Sequence, residues 1–149
     1  MITYKTYTGD LPNKVVTSWC EKYKKKLESN IHNTGNNACH AWTGPLTCGK
    51  HKYGRFRFTN LISKKYQETS AHRAYFMISN RLPQLEPKTE ISSQYPSQIF
   101  EVSHLCHNTV CLNMNHLSYE PRSINLSRKT CKLANDCSGH GIFPNCMLQ

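Results

Sequence analysis

The stretch His104-Leu105-Cys106-His107-Asn108-Thr109-Val110-Cys111-Leu112-Asn113-Met114-Asn115-His116 carries more chemistry per residue than any other part of the chain. Two cysteines and a histidine recur as Cys-x4-Cys-x4-His. Zinc takes about four sulfur or nitrogen ligands in a tetrahedron, at roughly 2.0–2.3 Å. Cys106, Cys111 and His116 supply three from one loop, so the fourth comes from a distance. Cys39 is the choice, at the start of Cys39-His40-Ala41-Trp42-Thr43-Gly44, and Cys48 competes with it. A second set, Cys131, Cys137, His140 and Cys146, needs no remote ligand. The tail holding it is too polar to fold alone, so metal binding and folding are coupled there. His104 and His107 fall outside the first set. A neutral imidazole can take a proton from water near pH 7. The amide oxygen of Asn125 suits a hard ion such as Mg²⁺ that keeps much of its hydration shell.

These residues need elements to hold them. Residues 12–29 read as a helix opened by Pro12, with Val15, Val16, Trp19, Tyr23 and Leu27 near helical intervals. Residues 30–37 read as a polar linker. Strands are expected at 38–43 and 52–59, the latter alternating through Tyr53-Gly54-Arg55-Phe56-Arg57-Phe58. A buried helix capped by Ser70 covers 70–80, and 82–98, with Pro83, Pro87 and Pro96, reads as a loop. Strands at 99–103 and 117–119 and a helix from Pro121 through Lys129 complete the expected order. The tail from Cys131 follows. The expected fold class is α+β: a small zinc-stapled ββα core with an added antiparallel β-ribbon and an N-terminal helix. One domain is expected over 1–149, divided into 12–29, 38–81, 99–129 and 131–146.

Composition bounds the partners. The 149 residues include 19 Lys and Arg against nine Asp and Glu, a net charge of +10, with eight Cys and eight His. That balance points to a polyanion. Between Lys50 and Arg81 lie Lys52, Arg55, Arg57, Lys64, Lys65 and Arg73 against one acid, Glu68, with Tyr53, Phe56, Phe58 and Tyr66 interleaved. A ribbon with cations on one face fits a nucleic-acid groove, and Arg55, Arg57, Lys64 and Lys65 are its candidate contacts. The aromatics can form the core on its other face. No apolar run approaches the ~18–20 residues of a membrane span, and no secretory signal is visible. An intracellular location, nuclear or cytoplasmic, is therefore expected. The mixing of Cys with His favours zinc over a secreted disulfide framework.

Ser103-His104-Leu105-Cys106-His107-Asn108-Thr109, with Cys111, His116-Leu117 and Asn125, resembles the His-Cys box homing endonucleases, ββα-metal nucleases related to the HNH group. Cys39-x2-Trp42-Thr43-Gly44, Tyr53-Gly54-Arg55 and Ala71-His72-Arg73 resemble the front half of phage-type HNH proteins. The resemblance extends over about residues 38–146. It implies a Mg²⁺-dependent endonuclease acting on double-stranded DNA, with His104 as general base and Asn125 as ligand of one catalytic Mg²⁺. Cys39, Cys106, Cys111 and His116 would hold one structural zinc, and Cys131, Cys137, His140 and Cys146 the other. Products would end in 5′-phosphate and 3′-hydroxyl. The family places a positive side chain from the preceding ribbon at the scissile phosphate, for which Arg57, Lys64 and Lys65 are candidates. Two departures matter. The second cluster has x5, x2, x5 intervals, and the family's C-terminal extension, which embraces a partner subunit, is absent. A homodimer is therefore doubtful. The alternative reading is a zinc-stapled nucleic-acid-binding module without catalysis.

Overall fold

The computed structural model describes residues 11–33, 35–82 and 94–148. Most of the expected 82–98 loop lies outside the described residues. Helix α1, Asn13–Glu28, follows Pro12, whose φ of −57° is already suited to a helix entry. Val16, Trp19, Cys20, Tyr23 and Leu27 form its buried stripe. The stripe grips a hairpin of β3, Arg55–Thr59, and β4, Tyr66–Ser70. Trp19 Nε1 donates to the Thr59 carbonyl at 2.9 Å, and the Thr59 amide donates to the Tyr23 hydroxyl at 2.8 Å. Phe56 and Phe58 point from β3 into this core, and helix α2, Ala71–Ser79, closes it. The aromatic and cationic faces of β3 are thus opposite faces of one strand.

The expected strand at 38–43 is only a two-residue β2, Ala41–Trp42. Its partner is β1, Ile31–His32, inside the segment expected to be a linker. Two residues per strand leave no period to detect. Strand β4 was equally invisible, because Tyr66-Gln67-Glu68-Thr69-Ser70 buries no face of its own and is defined by its register on β3. Ser70 precedes α2 as expected, but its hydroxyl caps no amide. Gly54, like Gly44 against the Trp42 ring, leaves no room for a side chain. A Cβ at Gly54 would lie 2.7 Å from both Trp42 Cδ1 and Ala71 Cβ.

The second half is an antiparallel pair, β5, Phe100–His104, and β6, Leu117–Pro121, followed by helix α3, Arg122–Ala134. Phe76 from α2 packs with Phe100, Val102, Leu117 and Tyr119 beneath the pair. A 3₁₀ turn, Met114–His116, leads into β6. The helix runs past the expected end at Lys129, so Cys131 sits on α3 rather than in a tail. It stops where Asn135 takes a left-handed conformation, φ 50° and ψ 38°. The architecture is α+β, with a ββα unit in the second half. No helix among the described residues is long and apolar enough to cross a membrane.

Candidate metal centres and catalytic cleft

The first cluster is assembled by backbone pairing. Leu112 N donates to the His40 carbonyl at 2.8 Å and Trp42 N to the Val110 carbonyl at 2.9 Å. This lays the loop after β5 along the start of β2 and brings Cys39 to Cys106, Cys111 and His116. The four ligand atoms lie within 4.8 Å of one another. Cys48, the competing fourth ligand, is exposed elsewhere. His116 Nδ1 is 3.7 Å from Cys39 Sγ and 3.5 Å from Cys111 Sγ. A tetrahedral zinc with ordinary bond lengths implies a sulfur–nitrogen edge of about 3.6 Å. The Cys106 thiol donating to Cys111 pulls the Cys111 thiol down to about 4, while Cys106 is pushed up in turn.

The second cluster has the same shape. His140 Nε2 faces Cys131, Cys137 and Cys146 at 3.6, 3.4 and 3.3 Å. Its tautomer follows from its neighbours. The Ser127 hydroxyl donates to the Ile124 carbonyl at 2.6 Å, so its lone pair accepts from His140 Nδ1–H at 3.0 Å. The bare lone pair of Nε2 is then aimed at the three sulfurs, as a metal ligand fixed by a partner behind it requires. Both Cys₃His clusters have the donors and dimensions of zinc sites.

Arg128 joins the second cluster to the ββα unit. Nε and Nη2 each lie 2.7 Å from Glu120 on β6. Nη2 also reaches the Pro144 carbonyl at 2.8 Å and Nη1 the Cys146 sulfur at 3.5 Å. Glu120 and Arg128 are both almost completely buried.

Between these features runs a cleft. His104 and Asn125 line it together, at the junction of two hollows of about 390 and 320 Å³. His104 Nε2 lies 3.1 Å from the Cys111 carbonyl. A carbonyl only accepts, so Nε2 carries the hydrogen and Nδ1 is the free base. Burial pushes the imidazole down to about 4, so it is neutral at pH 7. The Asn125 amide donates from Nδ2 to Glu101 Oε2 at 2.7 Å.

Sequence reasoning left four neighbours without a role. His72 packs against His104 with ring centroids 4.2 Å apart, and Tyr53 lies over both. His72 Nε2 is fixed on the Val102 carbonyl at 3.0 Å, and its Nδ1 is buried without a partner among the described residues. Arg73 and Glu101 share a hollow with His104 and Asn125. Ala71-His72-Arg73 was visible as a motif, but nothing in it says that α2 starts beside the end of β5. Glu101 carried no signal beyond being an acid in a basic chain.

The hairpin cations sit elsewhere. Arg57 Nε is 2.7 Å and Arg55 Nε 3.8 Å from Glu68, and both line a separate hollow with Lys26 and Tyr66. Lys64 and Lys65 are exposed in the turn that joins β3 to β4. None of Arg57, Lys64 and Lys65, the residues expected at the phosphate, lines the cleft with His104. Arg73, Lys129 and Lys132 do, and the interstrand pairing explains the difference: the outward face of β3 is spent on Glu68.

A family model described as the zinc-binding loop region of homing endonuclease matches residues 18–147. No curated protein matches the chain.

Proposed function

The chain belongs to the family of that homing-endonuclease zinc-binding region, and from this we propose that it is a Mg²⁺-dependent endonuclease of double-stranded DNA, with His104 as general base. The observation that carries the reading is the pairing of His104 Nε2–H with the Cys111 carbonyl. It leaves Nδ1 as a neutral proton acceptor in the cleft that Asn125 also lines. Residue by residue, the role follows. His104 Nδ1 takes the proton of a water held beside it, and Tyr53 and His72 keep the ring from turning. The Asn125 oxygen has no hydrogen-bond partner among the described residues, and as a hard neutral donor it suits Mg²⁺. When bound, that ion would stabilise negative charge on the scissile phosphate and its leaving 3′ oxygen. Arg73, Lys129 and Lys132 supply positive charge around the same hollows, a place where a phosphate can be drawn in. The two zinc sites are structural, because every donor in each is used within its own cluster.

The test is cleavage of supercoiled plasmid in Mg²⁺ by the wild type and by His104→Ala and Asn125→Ala. Wild-type nicking or linearisation is expected, with loss in both variants at unchanged zinc content and nearly unchanged melting temperature. Loss of zinc in either variant would make these structural residues. A zinc-loaded wild type that binds DNA and leaves it intact would establish the non-catalytic binding module instead.

A further inference from the structure

Glu101 is the unexpected residue in the cleft. It comes from β5, three residues before His104, and it is a rare acid in a basic chain. Its two carboxylate oxygens are divided. Oε2 accepts from Asn125 Nδ2 at 2.7 Å, and Oε1 faces Arg122 Nε at 3.0 Å. Both partners lie on the first turn of α3, one helical step apart.

An asparagine amide is ambiguous as a ligand, since its oxygen and nitrogen ends are nearly equal in shape. The choice is made by what faces it. A carboxylate can only accept, so it draws the NH₂ end and turns the oxygen end away. Asn125 borders the cleft with its Nδ2 already engaged. We propose that Glu101 is a positioning residue: through Asn125 Nδ2 it fixes the amide with Oδ1 toward the cleft, and so sets the affinity for the catalytic divalent cation. Arg122 holds the other oxygen and keeps the carboxylate from rotating away from Asn125. The proposal rests on the nuclease reading above.

Partners that orient a metal ligand are commonly worth about 10–100-fold in metal affinity. The test is Mn²⁺ binding, read as loss of the free-ion electron paramagnetic resonance signal. It uses the zinc-loaded His104→Ala protein on duplex DNA, which keeps the amide but does not cut. Glu101→Ala in that background is expected to weaken Mn²⁺ binding at least ~10-fold. Glu101→Gln, whose single carbonyl oxygen can still accept from Asn125, should stay within about threefold of the parent. In the otherwise wild-type protein, Glu101→Ala cleavage should need correspondingly more Mg²⁺ and recover near-normal kcat at saturation. Zinc content should remain two in every variant. Equal losses in Glu101→Gln and Glu101→Ala would overturn the proposal and make the carboxylate itself a ligand. No loss in Glu101→Ala would overturn it as well. A parent complex that binds no Mn²⁺ beyond the duplex alone would remove the catalytic metal, and the nuclease reading with it.

Discussion

His104 is held at the end of β5 by a single backbone carbonyl, and that carbonyl belongs to Cys111, a ligand in the first cluster. The proposed base and the first metal loop are therefore directly linked. Cys111 itself is completely buried. Cys111→Ser is expected to leave one zinc per chain, measured by atomic absorption on the folded fraction, and to lower the melting temperature sharply. Two zinc ions retained would remove Cys111 from the site. The ligands themselves were legible because metal sites leave a trace in residue identity that no other role demands at those intervals. The sequence favours Cys39 over Cys48 without excluding Cys48, since only the pairing of residues 110–112 with 40–42 brings Cys39 in. Glu101 was not legible, and Arg73 was visible only as part of a motif: what places each in the hollow is a contact between elements that sequence order does not reveal.

Helix α3 shows why the element boundaries failed where they did. It buries almost nothing apolar. Arg128 is its one fully buried residue, while Leu126 and Leu133 are exposed. An apolar stripe was the signal that placed α1 within a residue at each end, and α3 lacks one. It is fastened instead by polar contacts made one per turn: Asn125 to Glu101, Arg128 to Glu120, and Cys131 to the second cluster. The expected stop at Lys129 missed this: the helix carries Cys131 and runs on to Ala134, where Asn135 ends it. The buried ion pair is the costly fastening. Arg128→Met leaves Glu120 buried without its partner and should cost about 3–5 kcal/mol in denaturant unfolding. Arg128→Met combined with Glu120→Leu should recover much of that loss. A single-variant cost below about 1 kcal/mol would show that the pair is not desolvated.

At the scale of the whole molecule, the hairpin cations and the cleft lie on different parts of the surface. The net charge of +10 predicted a polyanion partner, and a basic ribbon at Arg55, Arg57, Lys64 and Lys65 was its expected face. Arg55 and Arg57 are partly neutralised by Glu68, while Lys64 and Lys65 stand in solvent at the turn. Duplex binding should weaken steeply with salt, and Lys64→Ala with Lys65→Ala should flatten the slope of log K against log salt by about two. An unchanged slope would place the DNA path wholly along Arg73, Lys129 and Lys132. The order of elements was readable from the chain except for β1 and β4, but the meeting of α2 and β5 was not, and their contact helps make the cleft. Leu105, the residue after His104, has both backbone groups engaged. Its amide bonds to His116 of the first cluster at 2.7 Å, and its carbonyl accepts from Met147, beside Cys146 of the second, at 2.8 Å. Each metal loop thus holds one backbone group of the same residue. On the proposed nuclease reading, a chain carrying a single zinc is expected to be inactive rather than half active, because either loss frees one side of the residue next to His104.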